Sequence, residues 1–305
     1  MDVMPHGAIA QRWSRAVRGR LQERAVLVTI SVVLLAACSS QSDPGGPSTS
    51  TSGNGSPPSA SDSRFPSSLV VLGHSGTTGF NSDPAAPETD VVANSWATGT
   101  NPEVDSVYLR VVERNPDVEG NVQNFGIDGS RVDSLLDQEE RAAVVTPTPD
   151  LVLVRSIDND IRCDGTDAGN YEPYRKTLTA VMDALTRDIP NATIFFVSQW
   201  ADVTEYSRVA SSINPWHLTG AGPYDVDNTD TGKLDHKREA YLQRIVDDYF
   251  AIIVDVCGQY PNCQTDGGAM QRMRLQKSDL AEDLDHLSVK GLHKMAAIAF
   301  HALYD

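Results

Sequence analysis

Two short stretches far apart in the chain hold the residue types that acyl transfer needs. Residues 69–80 read LVVLGHSGTTGF, an apolar run that ends in Gly73, His74 and Ser75. Residues 283–293 read DLDHLSVKGLH and carry Asp283 and His286, three apart. A serine hydroxyl is a weak nucleophile. It needs a base to take its proton, and the base works best when a carboxylate orients it. Ser75, His286 and Asp283 have the right types for these three roles. Asp285 is the alternative orienter, although neighbouring side chains usually point apart. Two middle stretches offer hydrogen-bond donors. The run NFGIDG at 124–129 has backbone amides at a glycine turn, and SIDND at 156–160 has the uncharged side chain of Asn159. Donors of this kind stabilise the oxygen that becomes negative in a tetrahedral intermediate. The amides of Ser75 and Gly129 with the Asn159 side chain would suffice.

These residues must be positioned by the elements around them. Short apolar runs predict strands at 69–73, 121–125, 150–156 and 193–199. Helical periodicity predicts helices within 103–114, over 131–143, over 171–187, over 235–256 and over 288–304, the last with Ser288 as N-cap. Strands alternating with helices imply βαβ units and a mostly parallel sheet covered on both faces. In such a sheet, ligands bind outside the carboxyl ends of the strands, which is where Ser75 falls. The stretch 200–234 has no clean period and many turn residues, so it reads as an elaborated loop over that face.

Several familiar motifs fail. Gly79 is followed by Phe80, and no lysine completes a phosphate-binding loop. Gly73, Gly76 and Gly79 are spaced three and three, unlike a dinucleotide fingerprint. Thr77 stands where a G-x-S-x-G elbow needs its second glycine. Asp158, Asp160, Asp164 and Asp167, and the run DVDNTDTG at 225–232, are acidic but miss the EF-hand register, so no metal site is assigned. His217, His236, His293 and His301 have no partner pattern.

In chain order, the four stretches resemble blocks I, II, III and V of the SGNH hydrolase family, also called GDSL esterases and lipases. Gly73-His74-Ser75 resembles block I with histidine in place of its usual aspartate. Residues 124–129 resemble block II, residues 157–160 the G-x-N-D block with Ile157 in place of glycine, and residues 283–286 the D-x-x-H block. The resemblance covers nearly all of 66–305. It implies a flavodoxin-like three-layer α/β/α sandwich and a cofactor-free ester hydrolase. Carried over, Ser75 is the nucleophile, His286 the base and Asp283 its orienter, with Ser75, Gly129 and Asn159 forming the oxyanion hole. An α/β-hydrolase-fold esterase with the same triad types and a non-catalytic surface binding protein are the alternatives.

The remaining sequence speaks to location. Arg12, Arg15, Arg18, Arg20 and Arg24 precede AVLVTISVVLLAA at 25–37, an apolar run too short to span a bilayer comfortably. This is the layout of a secretory signal. It ends in LAAC, which resembles a bacterial lipobox with lipidation at Cys38; a plain signal cut after Ala37 is the alternative. Residues 38–65 are rich in Ser, Gly and Pro and read as a tether, leaving 66–305 as the hydrolase domain. The expected place is therefore outside the cytoplasm, held to the membrane through Cys38. The chain carries −16; removing the leader's +3 leaves −19, and nothing in it suggests nucleic-acid binding, which needs a basic face. Cys257 and Cys263 bracket GQYPN and are expected to pair in an exported protein, with Cys163 left over, although Cys163 could pair with either. In 200–234, Trp200, Tyr206, Trp216 and Tyr224 lie among Ser, Thr, Asp, Asn and Gly. Rings among hydrogen-bonding residues suit a small-molecule or glycan ester with a short acyl group better than a long lipid chain.

Overall fold

The computed structural model describes residues 61–162, 164–214, 226–228 and 233–305. Five strands form one parallel sheet: β1 (Leu69–Leu72), β2 (Val122–Asn124), β3 (Leu151–Val154), β4 (Thr193–Phe196) and β7 (Cys263–Thr265), in the order β2-β1-β3-β4-β7. All neighbouring pairs run parallel. The residues LVVL of β1 and LVLV of β3 are buried throughout, as strands covered on both faces must be. Antiparallel β5 (Asp227–Asn228) and β6 (Lys233–Leu234) form a separate small ribbon.

Seven helices accompany the strands among the described residues: α1 (Ser75–Thr78), α2 (Val107–Val112), α3 (Ser134–Ala143), α4 (Tyr171–Asp188), α5 (Val203–Ile213), α6 (His236–Cys257) and α7 (Val289–Tyr304). Helix α3 packs on α4, α4 on α6 and α6 on α5, while α2 packs on α7. The result is a three-layer α/β/α sandwich with the flavodoxin-like order. Its crevice lies between the ends of β1 and β3, where the strand order reverses. The amphipathic helices bury the stripes their periodicity gives them, such as Leu178, Val181, Met182 and Leu185 in α4. Ser288 caps α7 by accepting from Gly291 N–H.

Three features differ from the sequence reading. The stretch 200–234 is not a continuous loop, because 203–213 is helix α5. Asp202 caps it by accepting from Glu205 N–H at 2.7 Å, and Val203, Tyr206, Val209 and Ala210 form its buried face. Serines at 207, 211 and 212 dilute that stripe in the sequence. A fifth strand, β7, follows directly on the cysteine-bracketed turn; two half-buried residues and the exposed Gln264 at the sheet edge leave no apolar run to read. The segment ahead of residue 66 also docks before the expected boundary. Asp62 N–H donates to Arg114 O, and the Phe65 ring packs 6.0 Å from Phe300 and 4.6 Å from Tyr304. Cys257 and Cys263 are bridged, tying the end of α6 to the start of β7. Cys38, Cys163 and the leader lie outside the described residues.

Candidate active site

Strand β1 delivers the chain to Gly73, which sits at φ +152° with Arg155 O only 2.6 Å from where a Cβ would stand. Glycine is therefore required at this turn. Both backbone groups of Gly73 are held by the buried Gln138 of α3: its Oε1 accepts from Gly73 N–H at 2.6 Å and its Nε2 donates to Gly73 O at 2.9 Å. Ile127 N–H and Ser130 Oγ also donate to Gly73 O, each at 3.0 Å. The chain then enters α1, with His74 as N-cap and Ser75 as its first residue.

His286 reaches this serine from the turn before α7. Its Nε2 lies 3.0 Å from Ser75 Oγ, and its Nδ1 lies 2.7 Å from Asp283 Oδ2. The other carboxylate oxygen of Asp283 accepts from the amides of Asp285 and His286, both at 3.0 Å, and Asn81 Nδ2 also donates to Asp283. Burial pushes the Asp283 carboxyl up, but the His286 hydrogen bond and charge, with the Asn81 amide, outweigh it and hold the group down at about 2. Phe80 packs its ring 4.9 Å from the imidazole. Asp285 points elsewhere: Tyr206 Oη donates to it at 3.3 Å.

Strand β3 ends at Val154, and 157–160 follows above it. Ile157 takes φ +107° and ψ −60°, a conformation suited to glycine, with its side chain fully buried. Asn159 Nδ2 donates to Ser130 O at 2.9 Å, and Asp160 Oδ2 accepts from Val132 N–H at 3.1 Å. The two adjacent residues thus hold the 129–132 loop against the end of β3. Burial pushes the Asp160 carboxyl up to about 7, although the Val132 amide and Arg131 oppose it. Gly129 takes φ +67°. Beside it, burial and Asp90 push the Asp128 carboxyl up, while the charge of His286 opposes them.

Ser75, His286, Asn159, Arg155, Trp200 and Asp285 line one cavity of about 220 Å³. Asp283 stands behind His286. Gly129 lies next to Asp128, which does line the cavity. Asp128, Gln138 and Arg155 were not singled out from the sequence; of these, Asp128 had a readable signal, inside the glycine turn next to Gly129. Trp96 belongs to the core, donating from Nε1 to Gly76 O at 3.1 Å. The acidic cluster is dispersed onto separate partners: Asp158 on Arg155, Asp160 on Val132, Asp164 on Thr166 and Asp167 on Arg162. His236 and His301 contact Glu239 and Asp305, and His293 faces Val104 O. Trp216, His217, Tyr224 and most of 225–232 lie outside the described residues.

No protein-family profile matches this chain, and no curated protein matches it in sequence. Solved structures do. An extracellular lipase from Streptomyces rimosus superposes with a TM-score of 0.50 at 13% identity, covering 77% of this chain and 99% of that one. An acetyl xylan esterase from Geobacillus stearothermophilus gives 0.47 at 16% identity, covering 78% and 94%. An α/β hydrolase enzyme from the metagenome of Lake Arreo, Spain, gives 0.46 at 19%, covering 77% and 94%. At these identities the Streptomyces likeness is one of fold.

Proposed function

We propose that this chain is an SGNH-type serine ester hydrolase, exported and anchored to the membrane through lipid on Cys38, that cleaves short acyl esters of polar alcohols. The observation that carries the reading is the continuous relay from Asp283 Oδ2 through His286 to Ser75 Oγ. Its two links measure 2.7 and 3.0 Å, and it joins residues 211 positions apart. A partnership between such distant polar groups, open to a cavity, is what nucleophilic catalysis requires.

The chemistry runs on this chain's own groups. His286 Nε2 takes the Ser75 proton as Oγ attacks the ester carbonyl carbon, and Asp283 steadies the ring as it becomes positive. The carbonyl oxygen gains a negative charge. The amides of Ser75 and Gly129 and the Asn159 side chain donate to it. Collapse breaks the bond to the alcohol oxygen, and His286 returns the proton to that oxygen. Water then attacks the acyl-serine with His286 again as base, releasing the acid and restoring Ser75 Oγ–H.

The substrate class rests on the cavity. Arg155 and Asp158 form an ion pair of 2.7 Å at its wall, and Asp128, Asn159 and Asp285 supply further polar groups. Such walls suit hydroxyl-bearing alcohols. A fluorophosphonate probe and a chain-length series of p-nitrophenyl esters test both levels. The purified protein should be labelled at Ser75, with kcat/KM greatest for acetyl to butyryl esters and lower by octanoyl. An unlabelled, inactive wild type would overturn the enzyme reading. Activity rising steadily beyond octanoyl would overturn the short-acyl reading. Cys38→Ala should release the domain into the medium; its retention on the membrane would overturn the anchor.

A further inference from the structure

His74, the residue by which this chain departs from its family resemblance at the nucleophile, sits in a buried polar cluster beneath Ser75. The residue is 3% exposed. Its Nδ1 accepts from Gly76 N–H at 3.2 Å, so the neutral ring carries its proton on Nε2. That Nε2 lies 3.5 Å from Asp158 Oδ2, with no aligned hydrogen bond. The same carboxylate oxygen takes Arg155 Nη2 at 2.7 Å, and Arg155 Nη2 also donates to Gln199 Oε1 at 3.1 Å. Arg155 is 1% exposed, and its Nη1 approaches Gly76 O at 3.5 Å, where Trp96 Nε1 also donates. The residue after the nucleophile is therefore gripped at both backbone groups: His74 holds its N–H, while Trp96 and Arg155 hold its carbonyl. Thr77 N–H donates to His74 O at 2.7 Å. Together these bonds occupy the amides of Gly76 and Thr77.

Three buried side-chain atoms of this cluster lack a partner among the described residues: His74 Nε2, Arg155 Nε and Asp158 Oδ1. Incompletely paired buried groups are costly, and apolar packing would serve plain stability as well or better. We propose that His74 is a positioning residue: its neutral ring caps the turn that carries Ser75, and the Asp158–Arg155 pair beneath it keeps the ring proton on Nε2. This rests on Ser75 being the nucleophile. Burial holds His74 down at about 4, with Arg155 and the charge of His286 acting the same way and Asp158 opposing. A proton on Nδ1 would turn the acceptor into a donor facing Gly76 N–H, and the cap would be lost. The serine turn thus keeps its cap for as long as the His74 ring stays neutral.

The test combines kinetics with nitrogen NMR of the full chain. His74→Ala should lower kcat on a short ester, and the rate of fluorophosphonate labelling, by roughly tenfold to a hundredfold, as small misplacements of reacting atoms do. KM should stay within about threefold, because the lost bond touches no substrate. His74→Asn, whose side-chain oxygen can accept from the same amide, should recover most of that loss. In the wild type, acid should remove kcat below pH 5 more steeply than one proton allows, whereas His74→Asn should fall with a one-proton slope. NMR should show His74 with an acceptor Nδ1 and a protonated Nε2. Unchanged kcat in His74→Ala, no rescue by His74→Asn, or titration near the ordinary histidine value would each overturn the proposal. Should His74→Ala not fold, the asparagine variant and the NMR titration decide alone. A wild type without labelling or turnover would instead count against the hydrolase reading, and the NMR result would stand apart from it.

Discussion

Ser75 and His286 meet at 3.0 Å, but they are held in opposite ways. Ser75 stands at the end of a buried strand. Gln138, Ile127 and Ser130 lock Gly73 just before it, and His74, Trp96 and Arg155 lock Gly76 just after it. His286 sits on a turn where its side chain and that of Asp283 remain partly exposed. That turn is closed by the Leu280–Leu287 bridge, by Ala281 N–H donating to His286 O at 2.8 Å, and by the amides bound to Asp283. The nucleophile must be in one place and needs no bulk water. The base must gain and lose a proton in every turnover, so it is kept half-exposed and oriented by one carboxylate. Rigidity is concentrated where geometry matters, and access where protons move.

The strongest way to break this comparison is to remove one partner at a time. Ser75→Ala and His286→Ala should each remove turnover by about the same large factor, roughly a millionfold in kcat, because the pair acts as a unit. Asp283→Ala should leave roughly ten to a hundred times more residual activity. It should also lower the melting temperature, since its carboxylate holds two turn amides. Its contribution to stability is present above the ordinary carboxylate value and lost as the pH falls toward about 2. Kinetics of Asp285→Ala check the orienter: a greater loss of kcat there than in Asp283→Ala would refute the assignment.

The next effect belongs to the nucleophile's side. Asn159→Ala should lower kcat by about two to three orders of magnitude, as one lost oxyanion donor does, with KM little changed. A rise in KM alone would make Asn159 a substrate-binding residue instead. Its neighbour Asp160 gives a pH test of the same framework. Between about 4 and 7 the native state keeps the Asp160 proton and the unfolded chain does not, so stability falls as pH rises through that window. His74 acts in the opposite sense, because its contribution is present above the ordinary histidine value and lost as pH falls toward about 4. The wild-type curve therefore mixes the two, and the comparison with Asp160→Asn isolates one. The variant should gain stability relative to wild type as pH rises from 4.5 to 7.5. A constant difference would show that Asp160 is ionised throughout.

Legibility in the sequence follows the same division. LVVL, LVLV and TIFF read as strands because burial on both faces leaves an unbroken apolar run. Ser75, Asn159, Asp283 and His286 stand next to turn residues whose spacing shows in one dimension. The clamps do not. Gln138 looks like any polar helix residue until tertiary packing carries it 65 positions back to Gly73. Arg155 ends a strand-like run and gives no sign of pairing with Asp158 under His74. Strand β7 is short and half-exposed, so its place comes from the sheet edge and the disulfide beside it. Helix α5 was readable from Asp202 and the spacing of Val203, Tyr206 and Val209, but serines weakened the stripe.

The smallest effect tests whether the buried framework carries strain. Ile157 occupies φ +107° where the resemblance expects glycine, yet its side chain is fully buried. Two terms oppose each other. A non-glycine residue in such a conformation costs on the order of 1–3 kcal/mol, and removing a buried isoleucine side chain costs about 2–5 kcal/mol. Burial should win, so Ile157→Gly and Ile157→Ala should both melt below wild type. Their order is the informative result. At an unstrained site, alanine is the more stable by about 0.4–1 kcal/mol, because glycine frees the unfolded chain. Here glycine alone relieves the backbone, so Ile157→Gly should exceed Ile157→Ala by about 1 kcal/mol, or roughly 2–4 °C for a domain of this size. Calorimetry that placed alanine at or above glycine would show the turn after β3 to be relaxed. The rigidity of the nucleophile's side would then come from its hydrogen-bonded clamps alone, without stored backbone strain.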